Sequence, residues 1–393
     1  MKKIFLILIT VLFSFSAFSF EVNYIIQKNF DTMCMDEKNN EMYLFNKTGT
    51  MYVLNTQTGN ILYNKKIEFR DNFSIFLQNC LFFRDNIYLY LNTSANEYDY
   101  FYVLDKKGNI IKSRKFEDGA TEKDFSITEN GNIIIAGGNI LYYLDENLNT
   151  LFDVYEDYIY TLPVEFGNRI FSSNAPIASQ HSGDIFIYEK DGTLSRHTEL
   201  DGYTYFTYPV TDKKLNTLYY AVTQKHGMTN FDVIPSKVYA LNADGTIKWE
   251  TETYGGNTET VLDEDHNLYV SSWKEFGGPS RIYCISPEGN ILWFKDIPLI
   301  GRVPFIYVVG ISSDKTVYFF LRSDAGHFCS LDKDMNIQMY VTGEISEFIM
   351  DKTGNLYLLA GRKFYCFKDD NGGYADSEWP MESKSPSRNI SGD

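Results

Sequence analysis

Short apolar runs punctuate the chain, each followed by a polar turn and a second run that alternates apolar with polar positions. The clearest is "KVYALNADGTIKWE" (237–250). Its core, Val238-Tyr239-Ala240-Leu241, is apolar at successive positions, which marks a strand covered on both faces. The same hairpin recurs as "TMYVLNTQTGNILY" (50–63), "YFYVLDKKGNIIK" (100–112), "ILYYLDENLNTLF" (140–152), "DIFIYEKDGTLS" (184–195), "RIYCISPEGNILWF" (281–294), "HFCSLDKDMNIQMY" (327–340) and "KFYCFKDD" (363–370). That makes eight copies, spaced by about 40 to 50 residues in most cases, the period of a four-stranded propeller blade.

The turn of each hairpin needs a residue with positive φ. Glycine supplies it at Gly59, Gly108, Gly192, Gly245 and Gly289. Where glycine is missing, Asn149 and Asn336 are the expected substitutes, because asparagine tolerates that conformation. A second hairpin precedes each copy, as in "DEDHNLYVSS" (263–272), "DKTGNLYLLA" (351–360) and "TENGNIIIAG" (128–137). Each block therefore contains four strands, A to D from the centre outward. The predicted fold is all-β, a single β-propeller of four-stranded blades with eight blades, seven being the alternative count. The last block is one strand short, while "EVNYIIQKNF" (21–30) is a strand without a block. It is expected to complete the last blade from the N-terminal side and remove the open seam.

The first residues change the picture of where this ring works. Lys2 and Lys3, then the apolar run Ile4 to Phe15, then Ala17 and Ser19 at small-residue positions, fit a signal peptide cut after residue 19. The expected organisation is a leader at 1–19, a propeller at 20–381 and a disordered tail at 382–393. The mature chain would be exported, to the periplasm or the exterior, with no transmembrane segment. Net charge is −16, and −18 once Lys2 and Lys3 are removed. With no basic run or stripe, nucleic acid is not an expected partner. The five cysteines, Cys34, Cys80, Cys284, Cys329 and Cys366, are scattered and odd in number, so most are expected as buried apolar side chains; one pair bridging in an oxidising compartment stays open.

In a propeller the A–B and C–D turns lie on one face and the B–C and D–A loops on the other. Here the decoration falls on the second face. The long B–C segments are 92–100, 174–183, 223–237 and 271–281, and the aromatic D–A segments are 155–163, 200–209 and 251–259. Function concentrates on such loops. The candidate binding residues are Tyr203, Tyr205, Tyr208, His226, Tyr254, Trp273 and Arg281. "DEDHN" (263–267) and "DKDMN" (332–336) resemble the start of a calcium loop, but both lack its later glycine and glutamate and both fall where the repeat needs turns. His181, His197, His226, His266 and His327 form no zinc motif, and no nucleophile elbow or phosphate loop occurs.

The pattern in "VYALNADGTIKWE" and "IYCISPEGNILWF" resembles the PQQ-like β-propeller repeat family, in its non-enzymatic branch. "SEWPM" (377–381) resembles a Trp-Pro motif that accompanies such repeats. The resemblance implies the fold. The family includes quinoprotein dehydrogenases, which carry adjacent cysteines against the cofactor, and an outer-membrane assembly propeller. No Cys-Cys pair occurs here, and only Trp249 and Trp293 keep the tryptophan after the turn. The expectation is therefore a non-catalytic propeller without cofactor, catalytic residues or metal. It would bind a protein partner, or secondarily a glycan, and serve as an envelope scaffold. The alternative is a degenerate quinoprotein or hydrolase with a site in the central channel.

Overall fold

The computed structural model describes residues 22–69, 75–93, 98–117, 124–137, 139–155, 163–174, 183–200, 209–223, 236–273, 279–298, 305–322, 326–369 and 371–377. The leader expected at 1–19 and the tail at 382–393 lie outside them. Eight four-stranded antiparallel sheets make up the chain. Seven are simple meanders, at 32–66, 75–116, 124–155, 164–200, 210–253, 256–297 and 305–342, and these are blades 1 to 7. The eighth joins 345–368 to Val22–Ile26, which pairs antiparallel with Lys363–Lys368 as its outermost strand. The eight-bladed propeller is thus closed by a strand from the opposite end of the chain. Among the described residues the one helical element is a 3-10 turn at Glu37–Asn39, and no helix is long and apolar enough to cross a membrane.

First strands of neighbouring blades lie against one another around the centre, while outer strands such as Ile247–Thr253 and Ile291–Ile297 alternate exposed and partly buried residues. The core is not one cluster but a ring of inter-blade layers. Every neighbouring pair of blades shares a buried apolar cluster, including the pair formed by blade 8 and blade 1. This explains the two-sided apolar runs: Val238, Tyr239, Ala240 and Leu241 are all buried, because blade 5 is packed between blades 4 and 6. All five cysteines are buried within these layers.

A contact repeated at three blade junctions locks one blade to the next. The turn glycines of the third and fourth strands have φ of 72° at Gly59, 84° at Gly192 and 87° at Gly289. Each receives an aromatic ring from the preceding blade: Tyr24 on Gly59, Phe152 on Gly192 and Trp249 on Gly289, all closer than 3 Å to where a Cβ would stand. Trp249 Nε1 also donates to the Pro287 carbonyl at 2.8 Å. Trp249 is therefore an inter-blade latch, and Tyr24 and Phe152 fill the same role at Gly59 and Gly192.

The structure corrects two expectations. The positive-φ residues in the glycine-free turns are Leu148 (67°) and Met335 (64°), not Asn149 and Asn336. Each asparagine instead binds the aspartate that opens its turn, with both its backbone and side-chain nitrogens donating to Asp145 or Asp332 at 2.8–3.0 Å. Leu148 pays a left-handed cost of about 1–2 kcal/mol, offset by burying its side chain between blades 2 and 3. Second, the segment 251–259 is mostly strand: Ile247–Thr253 and Gly256–Leu262 leave only Tyr254 and Gly255 as the link. Its polarity misled because Asn257 is buried, accepting from Thr253 Oγ1 and donating to the carbonyls of Val222 and Lys237. The segments 92–100 and 271–281 likewise begin and end inside strands. Residues 371–377 add a feature beyond the blades. They cross the inner strand ends of blades 7 and 6, where Ala375 N donates to Ile311 O at 3.0 Å and Ser377 Oγ donates to Leu262 O. Tyr374 reaches Glu37 of blade 1. The strap thus ties four blades together on the A–B turn face.

Candidate functional site

Arg281 is the second residue of the third strand of blade 6, Ser280–Ile285, and lies directly across from Asp296 on the outer strand. Its Nε donates to Asp296 Oδ1 at 2.6 Å. Tyr283 and its cross-strand partner Phe294 stand two residues further along, so period-2 geometry puts all four side chains on one face of the blade. That face looks toward blade 5, whose outer strand delivers Tyr254. The guanidinium carbon lies 4.1 Å from the Phe294 ring centroid, 5.0 Å from Tyr254 and 5.7 Å from Tyr283. Nη1 donates to Tyr283 Oη at 3.2 Å, and Tyr283 Oη accepts from Tyr254 N at 2.9 Å.

The result is an open groove of about 510 Å³ lined by Glu252, Thr253, Tyr254, Arg281, Tyr283, Ile291 and Phe294. Burial disfavours the charged guanidinium, but the Asp296 and Tyr283 contacts outweigh it and hold Arg281 above its ordinary pKa. Arg281 therefore stays charged, ion-paired with Asp296 and set among aromatic faces. Phe294 remains 52% exposed, while Leu292 and Ile247, also exposed, stand at the C–D-turn ends of the two outer strands. Arginine packed on aromatic rings is a composition enriched at protein-binding hot spots.

Of the sequence candidates, Tyr254 and Arg281 meet in this groove. Trp273 lies at the same end of blade 6 but packs elsewhere: its ring is 4.4 Å from Phe305 of blade 7, and it lies over Gly256. Tyr203, Tyr205, Tyr208 and His226 lie outside the described residues, as does His181. Tyr283, Phe294 and Ile291 stand on strands, where loop decoration gives no signal of a site. The signal was present in "RIYCISPEGNILWF", where Arg281 and Tyr283 share one face.

Other polar groups are engaged in the architecture. Asp263 of "DEDHN" accepts from the backbone of Asp265 and Asn267 and from the side chains of Asn267 and Tyr269, so the segment is a turn closed on its own carboxylate. His266 contacts Asp212 of blade 5 at 2.7 Å, His197 stacks on Phe186, and His327 contacts Thr342. A recess of about 460 Å³ on the opposite face is polar, and Arg169 within it is paired with Glu189 and with the Ala243 carbonyl. The cysteines do not fit the cofactor arrangement of the quinoprotein dehydrogenases: the thiol beside Cys34 is Cys80, which is 46 residues away rather than next in the chain.

Together these features define the class: a closed eight-bladed β-propeller with an arginine–aromatic groove between two blades. Among solved structures it is similar to BamB from Moraxella catarrhalis, with TM-score 0.59 and 12% identity, covering 90% of this chain and 98% of that one. It is also similar to the C-terminal WD40 domain of Sif2, with TM-score 0.65 and 10% identity, covering 89% and 98%. At such identities the likeness concerns the fold. No protein-family model and no curated protein matches the sequence.

Proposed function

We propose that this chain is an exported, non-catalytic propeller that binds a protein partner through its B–C/D–A face, with the groove around Arg281 as the docking point. The observation that carries this reading is Arg281 held among Tyr254, Tyr283 and Phe294 with the Phe294 ring left in solvent. Keeping Phe294 exposed costs solubility, and contact with a partner removes that cost. With Asp296 already pairing the guanidinium, the groove favours a partner surface that offers apolar or aromatic side chains. The long segment 223–237 on the same face, outside the described residues at 224–235, belongs to the proposed surface.

The test is affinity capture from the native extract with wild-type protein, with Arg281→Ala/Phe294→Ala, and with 223–237 replaced by a short turn. One partner should be retained by wild type and reduced at least tenfold in both variants. Equal recovery from all three would overturn the proposed face. An Arg169→Ala variant, altered on the opposite face, should retain the partner.

A further inference from the structure

Two of the five buried cysteines are neighbours in space. Cys34 is central in the inner strand of blade 1, Thr32–Asp36, and Cys80 lies in the inner strand of blade 2, Ile75–Phe83. Their sulfur atoms are 2.6 Å apart, and the residues are 0% and 1% exposed. The other three, Cys284, Cys329 and Cys366, stand on the third strands of blades 6, 7 and 8. Radial geometry explains the difference. Blades diverge from the axis, so neighbouring backbones are closest at the inner strands. A disulfide needs Cβ atoms about 3.5–4.5 Å apart, a spacing the side chains of two blades reach most readily near the centre.

We propose that Cys34 and Cys80 are joined by a disulfide in the mature protein, stapling blade 1 to blade 2 at the centre of the ring. The oxidant is an exchanging disulfide, either oxidised glutathione or the disulfide of a thiol oxidoreductase. One cysteine thiolate attacks it, forming a mixed disulfide and releasing one thiol. The second thiolate displaces the other thiol, so two protons and two electrons leave the pair and the oxidant departs as two thiols. In the closed ring, burial and the neighbouring Cys34 push the Cys80 thiol well above its ordinary pKa, so few thiolates form there. The bond therefore forms before blades 1 and 2 pack together and is afterwards shielded from reductants.

The experiment does not depend on the partner or on export. Full-length protein is unfolded with reductant, refolded in reduced and oxidised glutathione, then unfolded in iodoacetamide without reductant and digested. Three alkylated cysteines and one linked peptide pair, Cys34 with Cys80 and two hydrogens lighter than the free peptides, are expected. Cys34→Ala should give four alkylated cysteines and no link. Closing a loop of 46 residues constrains the unfolded chain, so refolding with reductant alone should lower Tm by about 5 °C. Five alkylated cysteines in protein with native circular dichroism would overturn the proposal, as would a link between any other pair. Should refolding fail, protein secreted into an oxidising compartment and handled identically gives the same two readings.

Discussion

The N-terminal strand reaches across to blade 1 through Tyr24, and Tyr24→Ala measures what that contact contributes to closure. Tyr24 is mostly buried, stacks on Phe364 of its own blade with centroids 6.2 Å apart, lies over Gly59 of blade 1 and donates its hydroxyl to Thr56 O at 2.8 Å. Full burial of a large side chain contributes about 1.5–3 kcal/mol, so this mostly buried ring contributes roughly 1–2. The hydrogen bond adds about 1 kcal/mol. The expected loss for Tyr24→Ala is about 2–3 kcal/mol, and for Tyr24→Phe about 1. With an unfolding entropy of about 2.1 cal/mol/K per residue over roughly 350 residues, the alanine variant should melt about 3–4 °C lower. Leu151→Ala, on the outer strand of blade 3 and half exposed, is the control and should shift Tm by less than about 1 °C. Scanning calorimetry reads the shift, and hydrogen exchange should show Lys363–Lys368 losing protection first. If Tyr24→Ala melts with the control and exchange at 363–368 is unchanged, the strand does not hold the ring closed.

Two further outcomes follow. Gly373→Ala would place a Cβ 2.1 Å from the Lys352 carbonyl oxygen, so the strap must shift; a loss of about 1–3 kcal/mol is expected in urea unfolding, and wild-type stability would show the strap is not seated there. Burial, joined by nearby acidic groups at Tyr43, Tyr269 and Tyr357, raises the phenol pKa of these three and of Tyr220 above the ordinary value near 10. The unfolded chain then ionises first as pH climbs past about 10, so the stability these groups contribute is full below that pH and drains away above it. Absorbance at 295 nm from these phenols should rise only as far-UV circular dichroism collapses; complete ionisation with native dichroism would contradict their burial.

The ring was legible because its signal is period and two-sided burial, both of which survive in runs such as Val238-Tyr239-Ala240-Leu241. The closing strand was legible by counting. Register within turns was not: Leu148 and Met335 take a conformation that residue preference assigns to Asn149 and Asn336, because the asparagines are held by their turn aspartates. Polarity also misled at Asn257, where buried hydrogen bonds replace solvent. The strap at 371–377 left no trace, since its contacts are with distant inner strand ends and carry no period. At the groove, Arg281 and Tyr254 were found by their place on the decorated face. Tyr283 and Phe294 were hidden in the repeat, where an aromatic residue reads as core until the structure shows which face it occupies.

Site-specific photocrosslinking in the native cell tests the interaction surface most directly. A photoreactive residue replaces Glu252, exposed in the groove lining next to the D–A link, or Asp191, exposed in the C–D turn of blade 4 on the opposite face. One discrete adduct is expected at 252, abolished when Arg281→Ala is added, and none at 191. An adduct at 191 with none at 252 would contradict the proposed surface.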